Sequence, residues 1–150
     1  MVTNIYIDGF NFYYGAVKGT PYKWLNFAEL CRILLPRHRI RRFYYFTAMV
    51  ESRPGDPDQS ARQQTYLRAL KTLPNFTIVL GSFLSHVVTM PLANGRGYVD
   101  VIKTQEKGSD VNLAANATFI KHIRPNVLAV SQFPATLTDA RGKFGKPASW

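Results

Sequence analysis

Asn4-Ile5-Tyr6-Ile7-Asp8-Gly9-Phe10-Asn11-Phe12-Tyr13-Tyr14-Gly15 is the stretch on which the reading of this chain turns. Val2, Ile5, Tyr6 and Ile7 favour β structure, so residues 2–8 read as a short buried strand. Asp8 would stand at its carboxyl end, where open α/β sheets place their ligands. Gly9 frees the backbone to turn at once, and Asn11 is a second polar group able to face the same crevice. Two readings of Asp8 stand side by side: a cap on the next helix, or a carboxylate at a functional strand end.

The rest of the chain supports alternation of strands and helices. Asn26 with Glu29 three residues on has the form of a capping box. The helix it opens runs to about Leu35, with Leu30, Ile33 and Leu34 on one face and Pro36 as its stop. Phe43 to Val50 reads as a strong buried strand. Pro54-Gly55-Asp56-Pro57-Asp58 is a loop at its carboxyl end, and a helix over about Gln59–Thr72 shows Tyr66, Leu67, Leu70 and Leu73 at helical spacing, with Arg62, Arg68 and Lys71 on its wet face. Phe76–Phe83 is a third strand. Asn94-Gly95-Arg96-Gly97 suits a hairpin turn, with residues 98–102 as the return strand. Gln105 to Ala114 reads as a loop entering a helix, with Ser109 able to cap and Asp110 in the first turn.

The 150 residues are enough for one domain with a substantial core, and a hydrophobic content of 46% argues against disorder. Nineteen Lys and Arg against nine Asp and Glu give a formal charge of +10, which predicts attraction to polyanions, nucleic acid first. The densest cluster is Arg37-His38-Arg39-Ile40-Arg41-Arg42, either a phosphate-binding run or a solvated connection. Cys31 is alone, which excludes a disulfide framework and a Cys-based zinc site and fits a reducing cytoplasm. His38 has no partner at metal-ligand spacing. No apolar run is long enough to span a membrane, so no membrane partner is expected.

Two separated motifs occur in family order. Asp8-Gly9-Phe10-Asn11 with Tyr13 to Gly15 resembles the opening of NYN-domain proteins, a branch of the PIN-like nucleases. Glu106-Lys107-Gly108-Ser109-Asp110-Val111-Asn112-Leu113-Ala114 resembles the second block of the same family, and Tyr45-Phe46-Thr47-Ala48, Asp56-Pro57, Arg62-Gln63 and Tyr66-Leu67 fit between them. The resemblance implies a Rossmann-like, three-layer α/β fold with a mostly parallel sheet. It also implies a Mg²⁺- or Mn²⁺-dependent ribonuclease. Asp8 and Asp110 carry over as metal ligands and catalytic residues, and Asn11 as a polar contact to metal-bound water or substrate. Arg37, Arg39, Arg41, Arg42 and Lys107 would contact the RNA backbone. Hard divalent cations prefer oxygen donors, and such an ion activates water and neutralises charge on a scissile phosphate.

The chain departs from the family pattern after Asp110. A further acidic helix position and a Ser-Asn-Asp-Ser-Asp-like strand end do not follow, and residues 116–150 resemble the family's extreme tail. An internal segment near residues 115–116, one βα unit of roughly thirty residues, is therefore expected to be missing. That divides the chain into an NYN-like domain at 1–115 and a looser C-terminal arm at 116–150. With so few carboxylates, two alternatives accompany the ribonuclease: a non-catalytic RNA-binding remnant, and a module that self-associates, as a homodimer, through an exposed sheet edge.

Overall fold

The computed structural model describes residues 1–91, 98–106 and 122–150. All of the expected second motif after Glu106, residues 107–114, and the proposed junction at 115–116 lie outside the described residues, as does the turn at 94–97.

Strand β1, Val2–Asp8, passes directly into a short helix α1, Gly9–Phe12, and a π-helical turn, Tyr13–Val17. Helix α2 is Phe27–Leu34, strand β2 is Arg39–Ala48, helix α3 is Gln59–Leu70 and strand β3 is Phe76–Gly81. The three strands form one parallel sheet in the order β1-β2-β3. This is a mixed α/β arrangement compatible with a Rossmann-like fold. Strands β4, Phe83–Pro91, and β5, Tyr98–Glu106, pair antiparallel from Phe83 opposite Glu106 to Pro91 opposite Tyr98. Helix α4, Pro125–Val130, and a small hairpin of β6, Thr136–Asp139, and β7, Gly142–Gly145, complete the described chain.

Side-chain alternation along the strands explains which face is covered. Ile7, Phe43 and Tyr45 are buried, and Ile5, Phe76 and Ile78 pack against the same core. Phe27 on α2 reaches across to Tyr45 and Phe76, with ring centroids 5.6 and 6.4 Å apart. Helix α2 forms because Asn26 Oδ1 accepts the Ala28 and Glu29 amides, while Phe27, Leu30 and Cys31 fall on one buried face. The capping box is half made: the Glu29 carboxylate turns to Arg32, 2.6 Å away, rather than back to the cap. Burial of Cys31 pushes its thiol up to about 11, so it is a packing residue and stays protonated.

Residues 122–150 are tied to the body more firmly than a loose arm. Trp24, 1% exposed, donates its indole N–H to the Pro134 carbonyl at 2.8 Å, and the Phe133 amide donates to the Trp24 carbonyl at 2.8 Å. Leu128 and Phe133 are buried in the same cluster, and Trp150 packs edge-on against Trp24, with centroids 6.2 Å apart. Large apolar side chains in the tail supply the reason: leaving them in water costs about 1.5–3 kcal/mol each.

Two of the three cations assigned to the wet face of α3 are engaged instead. Arg68 forms two hydrogen bonds to the Asp139 carboxylate, at 2.7 and 2.6 Å, and lies 4.0 Å over the Phe144 ring. Arg62 pairs with Asp56. Bidentate geometry fixes both position and angle, so Arg68 aligns the β6–β7 hairpin on α3.

Gly9 owes its place to space rather than to backbone freedom. Among the described residues positive φ occurs at Asn75 and Gly142, not at Gly9. A Cβ on Gly9 would lie 2.6 Å from the Tyr45 hydroxyl and 2.9 Å from the Phe46 carbonyl oxygen. Gly9→Ala is expected to cost about 1–3 kcal/mol, the range for overpacking a close-packed interior, read as a lower urea midpoint at unchanged slope.

The Arg68 guanidinium holds the Asp139 carboxyl well down, from 3.8 to about 2, with the Arg141 amide assisting. A carboxylate with a depressed folded value stabilises the fold above its unfolded value and loses that contribution as the pH falls through the folded one. The pair therefore contributes fully above pH 3.8 and fades toward pH 2. Asp139→Asn should lower the melting temperature at neutral pH, and the gap from the parent should close over that acidic window.

Candidate functional site

The site is built where β1 and β2 end. Asp8 stands opposite Phe46 in the parallel register. It closes β1 and caps α1, accepting the Asn11 amide at 2.9 Å and the Asn11 side-chain N–H at 2.7 Å. The carboxylate is exposed and Asn11 is its partner. The structure thus brings Asp8 and Asn11 together, as the sequence indicated, in the capping geometry. Asp110 and Lys107 lie outside the described residues. Among the described residues no group of three or more His, Cys, Asp or Glu could hold a metal ion.

The basic cluster does not share this end of the sheet. Arg39, Arg41 and Arg42 are the start of β2 rather than a connection before it, with Arg39 opposite Val2 and Arg42 opposite Asn4. At about 3.3 Å per residue, Arg42 starts roughly 13 Å and Arg39 roughly 23 Å from the level of Asp8. These arginines and Arg37 are exposed at the amino edge, while Asp8 occupies the carboxyl edge. His38 is held by Thr3, 2.8 Å from hydroxyl to ring nitrogen.

Beside Asp8 lies a cavity of about 90 Å³, enough room for several water molecules. Its wall begins with Gly9 and Phe10, next in the chain after Asp8, and continues through Phe12, Tyr13, Tyr14, Phe27, Tyr45, Tyr66 and Trp150. Thr47, Gln59, Gln63 and Lys23 add polar atoms to this lining.

Each wall is positioned by a specific contact. The Tyr66 hydroxyl donates to the Leu25 carbonyl at 2.8 Å, and its ring lies 5.5 Å from that of Trp150. Gln63 donates to the Ala48 carbonyl at 2.7 Å and accepts the Val50 amide at 2.9 Å, which ties α3 to the end of β2. Burial raises the hydroxyl pKa values of Tyr13, Tyr45 and Tyr66; the Tyr14 hydroxyl adds to the effect on Tyr13, and the Asp8 charge adds to that on Tyr45. All three stay protonated at neutral pH and present neutral hydroxyls.

Phe27 both lines the cavity and packs in the core, while Trp24 belongs to the core. Lys23, Gln63 and Trp150 were missed as lining residues because they come from three separate segments that only the folded chain assembles.

No protein-family profile matches the chain, and no solved structure matches it. A curated relative does: 6-hydroxy-3-succinoylpyridine 3-monooxygenase HspA of Pseudomonas putida (strain DSM 28022 / S16), 34% identical over 143 residues. The match covers 77% of this chain and 46% of the relative, so the chain spans about half of that protein's length. This corrects the sequence expectation of a ribonuclease and of hydrolase chemistry. The relative is named a monooxygenase, an oxidoreductase rather than a hydrolase. The physical reason for the misreading is that a carboxylate at a strand end marks where a site is, not which reaction it runs.

Replacing Asp8 by Ala removes the acceptor for the Asn11 amide and should cost about 1 kcal/mol of stability, whereas Asn, itself a good cap, should cost less than half of that. Denaturant titration of the two variants measures it.

Proposed function

We propose that this chain forms a substrate-holding unit of a monooxygenase-type oxidoreductase, and that the aromatic cavity beside Asp8 receives a flat aromatic ring. The cavity carries the proposal. Its aromatic walls offer stacked and edge-to-face contacts, worth about 0.5–1.5 kcal/mol per ring pair beyond area burial. Cavities lined by apolar and aromatic groups with a few placed polar atoms are the usual form of small-molecule sites. The likeness to a protein named for a pyridine substrate supports the same ligand class. An NYN-type scaffold, three-layered and Rossmann-like, belongs to this proposal; the parallel β1-β2-β3 sheet with the site at its carboxyl ends supports it.

In monooxygenation one atom of dioxygen enters the substrate and the other leaves as water. The balance requires two electrons and two protons, drawn from a reduced nicotinamide or flavin as the organic carrier. In this reading the chain's own residues orient the ring. Tyr13, Tyr45 and Tyr66 keep neutral hydroxyls around it.

The test is titration of the 150-residue chain with 6-hydroxy-3-succinoylpyridine, followed by tryptophan fluorescence. Saturable quenching that Trp150→Phe abolishes is expected. Incubation with NADH and FAD under ¹⁸O₂ should then place one labelled atom in the product. Absence of binding, or label entering from H₂¹⁸O instead of dioxygen, would contradict the proposal.

A further inference from the structure

We infer that Lys23 selects, at this cavity, aromatic ligands that carry a carboxylate. The inference rests on the aromatic-site reading above and adds the charge of the ligand to it. Lys23 precedes the buried Trp24-Leu25 pair and is itself half-buried against the cavity. It is the one charged side chain in the cavity's described lining. Three carboxylates are paired with arginines, Asp56 with Arg62, Glu29 with Arg32 and Asp139 with Arg68, and the Asp8 carboxylate at the rim is bonded to Asn11. Lys23 has no hydrogen-bonding or ionic partner among the described residues.

Two of the neutral polar groups are already committed. The Gln63 side chain is bonded at both ends to the backbone after β2. The Tyr66 hydroxyl donates to the Leu25 carbonyl. Lys23 is thus the uncommitted cation of the aromatic lining. It has three N–H groups on a flexible stem, and a partly desolvated ammonium gains most from an anionic acceptor.

Calorimetric titration of the full chain with 3-phenylpropionate and with its neutral amide, 3-phenylpropionamide, tests this. The acid is expected to bind the parent about tenfold more tightly than the amide, the factor for one hydrogen bond to a charged group. Lys23→Met should bring the acid down to the level of the amide and leave the amide unchanged. Lys23→Arg should keep most of the preference and so control for a packing effect. Circular dichroism of the Met variant confirms that it is folded. Equal binding of acid and amide by the parent, or a preference that survives in Lys23→Met, overturns the role of Lys23 while the aromatic site stands. Binding of neither probe overturns both.

Discussion

The approach of Gly9 to Tyr45 is the contact on which the site depends. Without a Cβ, the first residue after β1 settles against the Tyr45 ring and the Phe46 carbonyl. That closeness sets the depth of the turn into α1. It leaves Asp8 at the rim, where it caps the helix and raises the neighbouring Tyr45 hydroxyl pKa, and it turns Phe10, Tyr13 and Tyr14 along one wall of the cavity. Behind Tyr45, the rings of Phe27 and Phe76 fix the sheet against α2. Strand, turn and helix therefore converge on one aromatic side chain, and a shift in any of them would be felt in the cavity.

The opposite wall is closed by residues far along the chain. Trp24 holds Phe133 and Pro134 by hydrogen bonds in both directions, and α4 brings Leu128 in behind them. Arg68 keeps the β6–β7 hairpin on α3, and Lys146 donates to the Pro21 carbonyl at 3.3 Å. These ties deliver Trp150 against Trp24 and Tyr66, at the edge of the cavity. The exposed charges at the amino edge of β2 take no part in that arrangement. The basic run at that edge stands apart from the cavity.

Much of the fold was legible because local and global signals agree in it. Strand β1 forms where its β-favouring residues indicate, although as an edge strand of the described sheet it buries only Ile7 rather than being a buried strand throughout, Asn26 caps α2 as its spacing indicates, and the apolar face of α3 follows helical periodicity. The hairpin pairing of β4 with β5 also follows from the turn signal, although β5 extends to Glu106. Asp8 and Asn11 are legible as neighbours because they stand three positions apart. Other features depend on distant partners and left no local mark. The Arg68–Asp139 pair spans 71 positions, and Trp24 meets Pro134 across 110. Arg39 to Arg42 read as a phosphate-binding run or a solvated connection, not as strand, because charge masks the alternation of an exposed strand start. The chemistry was misjudged for a different reason: the motif at the end of β1 fixes a turn and a cap that many reactions can share.

The account stands most directly on a ¹H–¹⁵N chemical-shift titration of the chain with 6-hydroxy-3-succinoylpyridine. It predicts saturable shifts concentrated at Gly9, Tyr13, Lys23, Thr47 and Gln63, with the amides of Arg39, Arg41 and Arg42 unmoved. Shifts confined to that arginine edge, or spread without saturation, would contradict it.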